Sequence, residues 1–303
     1  MIRRGYVGLD LGADQLTAVV LQHARPALRL AGVRREPLSG ALELSSRQPN
    51  VIDARRFTEA LRRVLDPLPG NEERLALSLP DRVGRIYLVE VESPFKSHQE
   101  GIDVIKWRLK GSLPASPQQV QLDYQVLERR EDGRQRCLAA AIARPVLEQF
   151  EELIEAVGRQ AVRVDFHSLR LCNYYRPRLD LGDEFLLIGV EGKQLSLMYF
   201  AGQALAYQRV REMTPEPEPL FRELSRSLVD AAAHPAMQRC PVFAHFDPEL
   251  PGGLREVLVS TLEREVRVLD PQLKRFSGGA PIGLPASGPV LAAISAAEQL
   301  MNS

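Results

Sequence analysis

The chain has 303 residues, with 39 basic and 39 acidic side chains and a formal net charge of zero. An apolar share of 45% beside 26% charged residues is ordinary globular composition, which excludes wholesale disorder and suits two domains, or one with an insertion. Balanced charge argues against a general nucleic-acid binder, whose grip on phosphates needs a basic excess.

Gly5 to Leu21 opens with apolar residues on both sides of Gly12-Ala13-Asp14-Gln15, which predicts strand, tight turn and strand. A third strand is expected over Arg29 to Arg34. A helix is expected from Asp53 to Leu65, capped by Asp53, with Phe57, Leu61, Val64 and Leu65 on one face. Pro67 and Pro69 stop it. Leu75 to Leu79 reads as a buried strand, broken by Pro80-Asp81, and Arg85 to Glu92 as another. The order β-β-β-α-β-β is a layered α/β architecture.

The next stretch changes character. Gly101 to Lys110 is periodic as a helix, Val120 to Glu128 alternates as a strand, and Arg136 to Ala143 returns after a polar turn at Gly133. Pro145 suits the first turn of a helix running from Val146 to Val157. Residues 94–160 therefore read as an inserted α-β-β-α piece.

Ala161 to Asp165 is expected to return to the first layer, followed by a helix over Leu169 to Tyr175. Phe185 to Val190 and Leu195 to Phe200 form a second hairpin, and Gln203 to Arg211 a third strand. Thr214 to Pro219 is expected as a rigid polar loop and Phe221 to Ala232 as a helix. A strand over Pro241 to Phe246, a helix over Leu254 to Glu263 and a strand over Arg267 to Leu269 follow. Ser277 to Gly288 reads as a Gly/Pro-rich loop before an Ala-rich helix from Pro289 to Met301.

The two halves echo each other. Val7 to Gly12, followed by Leu16 to Val20, resembles Leu187 to Gly192, followed by Leu195 to Tyr199. A duplicated β-β-β-α-β unit implies two similar lobes around a cleft. The strand-Asp-x-Gly-turn-strand pattern, repeated in the second half, resembles the actin-like ATPase superfamily. The closer likeness is to the PilM family of type IV pilus assembly proteins, related to the division protein FtsA. It is carried by Gly8-Leu9-Asp10-Leu11-Gly12, Leu79-Pro80, Ile105-Lys106-Trp107, Leu113-Pro114, Leu122 to Leu127, Ala139 to Arg144, and Val164-Asp165 with Leu169-Arg170-Leu171.

The resemblance implies an α/β, actin-like (ribonuclease H-like) two-lobe fold with an inserted α-β-β-α subdomain of the FtsA/PilM 1C type. Its first lobe is expected over residues 1–93, 161–180 and 286–303, the insert over 94–160 and the second lobe over 181–285. An actin-like site grips nucleotide between its lobes, with hairpin turns offering N–H groups to phosphates and a carboxylate at each hairpin orienting Mg²⁺. On that pattern Asp10 would orient the metal, and Gly12, Ala13 and Asp14 would line the first turn. A second carboxylate at Asp14 would repel the γ-phosphate.

At the second hairpin the expected Asp falls on Gly189 and the expected Gly on Glu191, which would bring a carboxylate one register step off. Met213 to Pro219 stands where a Gly-Gly is expected, with prolines that remove donors and acids that repel phosphate. The strand ending at Phe246 lacks a terminal Gly-Gly, and Gly252-Gly253 follows as a displaced pair. One nucleotide element of about four is intact. ATP and Mg²⁺ are therefore expected at Asp10, Gly12, Ala13, Asp14 and Glu191 only if nucleotide binding is retained. No catalytic residue is expected.

Cys137, Cys172 and Cys240 form no CxxC pair, the five His form no HxxxH or HExxH, and GxSxG is absent, so neither a metal site nor a Ser or Cys nucleophile is expected. The odd cysteine count and the lack of a run of about 20 apolar residues suit a cytoplasmic protein. Trp107, the single Trp, sits among Lys106, Arg108 and Lys110 and suits either an interface anchor or the core. The resemblance implies a scaffold of type IV pilus or type II secretion machinery, peripheral to the inner membrane. Its expected partner is the N-terminal cytoplasmic tail of a PilN-like bitopic protein. The motor ATPase or platform protein is a further partner in that reading. An actin-like ATP switch and a small-molecule kinase of the same superfamily stay open as alternatives.

Overall fold

A computed structural model of the protein describes residues 4–24, 27–70, 72–248, 250–276 and 287–301. The chain divides into two compact units. One runs to Tyr174 and takes in the chain from Pro289; the other runs from Tyr175 to Gln272 and includes Ser287 and Gly288.

In the first unit β1 (Gly5–Leu11), β2 (Gln15–His23) and β3 (Leu28–Pro37) form an antiparallel meander. Helix α1 (Ala54–Leu65) follows, and β4 (Arg74–Leu79) then lies parallel to β1. Asp53 caps α1 by accepting the Arg56 N–H at 3.0 Å, and Phe57, Ala60, Leu61, Val64 and Leu65 are buried as the apolar stripe requires. Each large side chain so buried contributes about 1.5–3 kcal/mol. Only Tyr6 of β1 is not fully buried, and a central strand of that kind needs apolar residues on both faces. At Gly8 even a methyl group has no room: an added Cβ would lie 1.9 Å from the Ala293 carbonyl oxygen. The backbone of α7 (Gly288–Met301) thus packs directly on β1.

The insert comprises β5 (Gly84–Val91), α2 (His98–Arg108), β6 (Val120–Arg129), β7 (Gln135–Ala143) and α3 (Arg144–Glu155). The sequence reading leaves β5 in the first lobe, but β5 bonds to β7 in a three-stranded sheet of order β5-β7-β6. Both sides of β4, the strand it follows, are taken by β1 and by β8 (Gln160–Phe166), so β5 does not pair beside it. Helix α3 anchors the insert. Val146, Phe150 and Ile154 enter the core under the first sheet, with the Phe150 ring 6.2 Å from that of Phe57. Gln149 accepts the Asn50 and Val51 N–H groups at 2.6 and 2.8 Å. Helix α4 (His167–Tyr175) ends this part of the chain.

The second unit repeats the plan. It holds β9 (Phe185–Glu191), β10 (Gln194–Ala201), β11 (Ala204–Glu212), α5 (Pro217–Asp230), β12 (Val242–Phe246), α6 (Leu254–Leu262) and β13 (Val266–Val268). Its sheet order is β11-β10-β9-β12-β13, against β3-β2-β1-β4-β8 in the first. Both are an antiparallel meander extended by two parallel strands. The sequence echo is therefore a duplicated topology.

Two expectations change. Pro217, Glu218 and Pro219 are not loop but the first turn of α5, where prolines are tolerated because those N–H groups lack helical acceptors. The expected loop from Ser277 lies outside the described residues up to 286; Gly288 already belongs to α7. No helix among the described residues is long and apolar enough to cross a membrane.

Candidate functional site

The first hairpin brings Asp10 to the end of β1. Asp10 is fully buried, which an apolar strand permits only if its carboxylate finds partners. Ser78 Oγ, across from it on β4, donates to Asp10 Oδ1 at 2.5 Å. His167 Nδ1, at the start of α4, lies 2.8 Å from the same oxygen. An ionised carboxylate only accepts, so Nδ1 carries the proton in this pair. Asp10 Oδ2 is buried and has no hydrogen-bond partner among the described residues.

The turn itself is closed. Gly12 N–H donates to the Gln15 carbonyl at 2.8 Å, and the Asp14 carbonyl accepts the Leu38 N–H at 2.7 Å. The Ala13 and Asp14 side chains are exposed. Gly12, expected to offer its amide to phosphate, spends it inside the turn.

Neighbouring polar groups extend the cluster along α4. Asp81 accepts the Ser168 N–H at 3.0 Å and also its hydroxyl. Arg170 pairs with Asp165 at 2.6 Å and donates to Gln299 Oε1 at 2.6 Å. Burial pushes the Asp165 carboxyl above its usual range, against the pull of Arg170.

The second hairpin differs in register. In the first, Gly12 to Gln15 lie between the paired Leu11 and Leu16; in the second only Gly192 and Lys193 separate Glu191 from Gln194. Gly192 has φ +50, the left-handed geometry that a two-residue turn demands. Such a turn has no cradle of successive N–H groups. Glu191 is buried, and its Oε2 would lie 1.5 Å from a Cβ added to Gly288, so the carboxylate rests against that residue's Cα. Asp247 Oδ1 accepts the Gly288 N–H at 2.6 Å. Helix α5, which follows β11, opens with Pro217 and Pro219 and with Glu216 and Glu218, a start poor in donors and negative in charge. Gly252 and Gly253 do sit at a helix start with open space beside them, Gly253 at φ +87.

This arrangement tests the fit of Mg²⁺ and a triphosphate. The first hairpin supplies one buried carboxylate with a spare oxygen. In the second unit the buried Glu191 carboxylate and the Glu216, Pro217, Glu218 and Pro219 start of α5 do not fit a polyanion. Asp10, Gly12, Ala13 and Asp14 lie at the end and turn of the first hairpin, and Glu191 at the end of β9. Ser78, His167, Tyr175 and Asp247 carry no signal in the sequence, because their partners lie far along the chain and are set by tertiary packing. His245, read as structural, is 2% exposed and does bond Tyr175 Oη through Nδ1 at 2.7 Å.

No protein-family model and no curated protein matches the chain. Solved structures do. The PilM-PilN type IV pilus biogenesis complex matches 98% of this chain and 98% of its own, with a TM-score of 0.80 and 18% identity. A Bacteroides thetaiotaomicron protein of unknown function with an actin-like ATPase fold covers 91% and 93%, with a TM-score of 0.54 and 12% identity. The cytoplasmic domain of EpsL, an inner-membrane component of the type II secretion system of Vibrio cholerae, covers 99% and 96%, with a TM-score of 0.52 and 13% identity. The chain has the actin-like fold.

Proposed function

We propose that this protein is a scaffold of a type IV pilus or type II secretion assembly that holds the N-terminal cytoplasmic tail of a bitopic, PilN-like inner-membrane protein. The observation that carries this reading is the likeness, over the whole of both chains, to the PilM-PilN complex. The chemistry of the hairpins supports it. Nucleotide binding is weakened or lost in this reading, because the second unit meets phosphate with carboxylates and proline nitrogens. The division into a first lobe, an insert that takes in β5 as well as residues 94–160, and a second lobe at 181–285 belongs to the same proposal. So does a location beside the inner membrane, reached through the partner, with the motor ATPase or platform protein as a further contact.

An extended tail docks best on a rigid frame with a sheet edge and an aromatic anchor. Gln149 and the α3 core hold the insert firmly on the first sheet. Trp107 on α2 is 71% exposed, with Val104 one turn before it also exposed. A large apolar side chain in water on a helix of that insert suits a partner contact.

The test uses Trp107 as reporter, since the chain has one Trp. Synthetic N-terminal cytoplasmic tails of PilN-like bitopic proteins are titrated in, following fluorescence and heat. Saturable one-to-one binding, weakened about tenfold (about 1.4 kcal/mol) by Trp107→Ala and absent for a scrambled peptide, is expected. A folded protein that binds no such tail would sink the reading.

A further inference from the structure

The ends of β9 and β12 bring together three ligand-type side chains that strand pairing does not use. Glu191 closes β9, His245 lies in β12 across from Gly189, and Asp247 follows β12 directly. Their ligand atoms all lie within 4.8 Å of one another. His245 supplies the second, independent observation. Its Nε2 is buried, makes no hydrogen bond among the described residues, and faces Asp247 Oδ1 at 3.5 Å. A buried polar atom left in that state is destabilising unless something else satisfies it.

We propose that His245 Nε2, Glu191 and Asp247 bind one divalent transition-metal ion of the zinc class. The donor set is right for it: imidazole and carboxylate are both ordinary zinc ligands, and two carboxylates balance the ion's charge in a buried place. Tyr175 supplies the outer support. With Nδ1 donating to Tyr175 Oη at 2.7 Å, the imidazole is held in the tautomer that turns the Nε2 lone pair toward the carboxylates. Tetrahedral ligands at about 2.0–2.1 Å from zinc lie roughly 3.3 Å apart. The His245–Asp247 pair, at 3.5 Å, is already at that separation, and Glu191 closes in by side-chain rotation. Asp247 can keep the Gly288 N–H at 2.6 Å, because a carboxylate offers about four acceptor sites. The ion would tie the ends of β9 and β12 together. The site requires neither nucleotide nor tail binding.

The test takes the full chain stripped with chelator and titrates Zn²⁺ alone by calorimetry, and Co²⁺ alone by visible absorption. One equivalent is expected to bind, with a histidine-type Co²⁺ band and a rise in thermal midpoint that chelator reverses. Glu191→Gln and Asp247→Asn are each expected to weaken binding at least tenfold while the far-ultraviolet spectrum stays native. Tyr175→Phe should weaken it about 10–100-fold without removing a ligand. The exposed pair His98–Asp123, at 2.9 Å, is the control for adventitious metal, and His98→Asn should leave binding intact. Absence of stoichiometric binding by the folded wild-type chain overturns the proposal. So does binding that His98→Asn abolishes and the Glu191 and Asp247 variants retain.

Discussion

Asp10 and His167, 157 positions apart in the chain, meet at 2.8 Å in the core of the first unit. One oxygen of the carboxylate, Oδ1, lies against both this imidazole and the Ser78 hydroxyl. His167→Ala removes one partner of a buried charged group and should destabilise the fold by about 3 kcal/mol. Asp10→Asn keeps an acceptor for both donors and should lose only about 1 kcal/mol. Urea denaturation of the two variants compares them directly, and equal losses would show that the imidazole does not compensate the carboxylate.

Gly8 makes a sharper structural prediction. In Gly8→Ala the new methyl must clear backbone atoms at 1.9 and 2.7 Å, the Ala293 oxygen and the Ala297 nitrogen, and neither can rotate away. A loss of about 3 kcal/mol is expected by thermal or urea melting. A neutral outcome would mean that α7 does not pack on β1 as described.

Helix α3 carries Glu148, Glu151 and Glu155 on one side with no basic residue in its last turn. Burial, reinforced by the charges of Glu155 and Glu148, raises the Glu151 carboxyl above its usual range. The folded state therefore holds this proton more tightly than the unfolded chain. Its stabilising contribution is full below the unfolded carboxyl value, about 4.3, and is lost as pH rises through the raised folded value. Glu151→Gln should be more stable than wild type at pH 7, and the difference should vanish near pH 4. A difference that grows on acidification would reverse the assignment.

Mg-ATP should leave the melting temperature unchanged. A ligand at a hundredfold its dissociation constant stabilises by about 2.7 kcal/mol, which shifts a melt by several degrees. A shift of that size at millimolar Mg-ATP would favour the nucleotide switch over a scaffold without nucleotide. It would leave the tail-binding test standing.

The amino-acid sequence by itself determined the local elements: the two hairpins with Gly12 and Gly192 in their turns, the Asp53-capped face of α1, the Pro145-started helix α3, and the repeated half that becomes two sheets of one topology. These depend on periodicity and turn chemistry within a few neighbouring residues. Only the tertiary structure decided that β5 joins β7, because both sides of β4 are taken by β1 and by β8. Only it decided that the prolines after Glu216 begin a helix, since Pro suits a loop and a first helical turn equally well. The same holds for the meetings of Asp10 with His167 and of His245 with Glu191 and Asp247, where parallel pairing brings distant strand ends together. Such contacts leave no periodic trace in the chain, because each is fixed by the register of strands far apart in sequence.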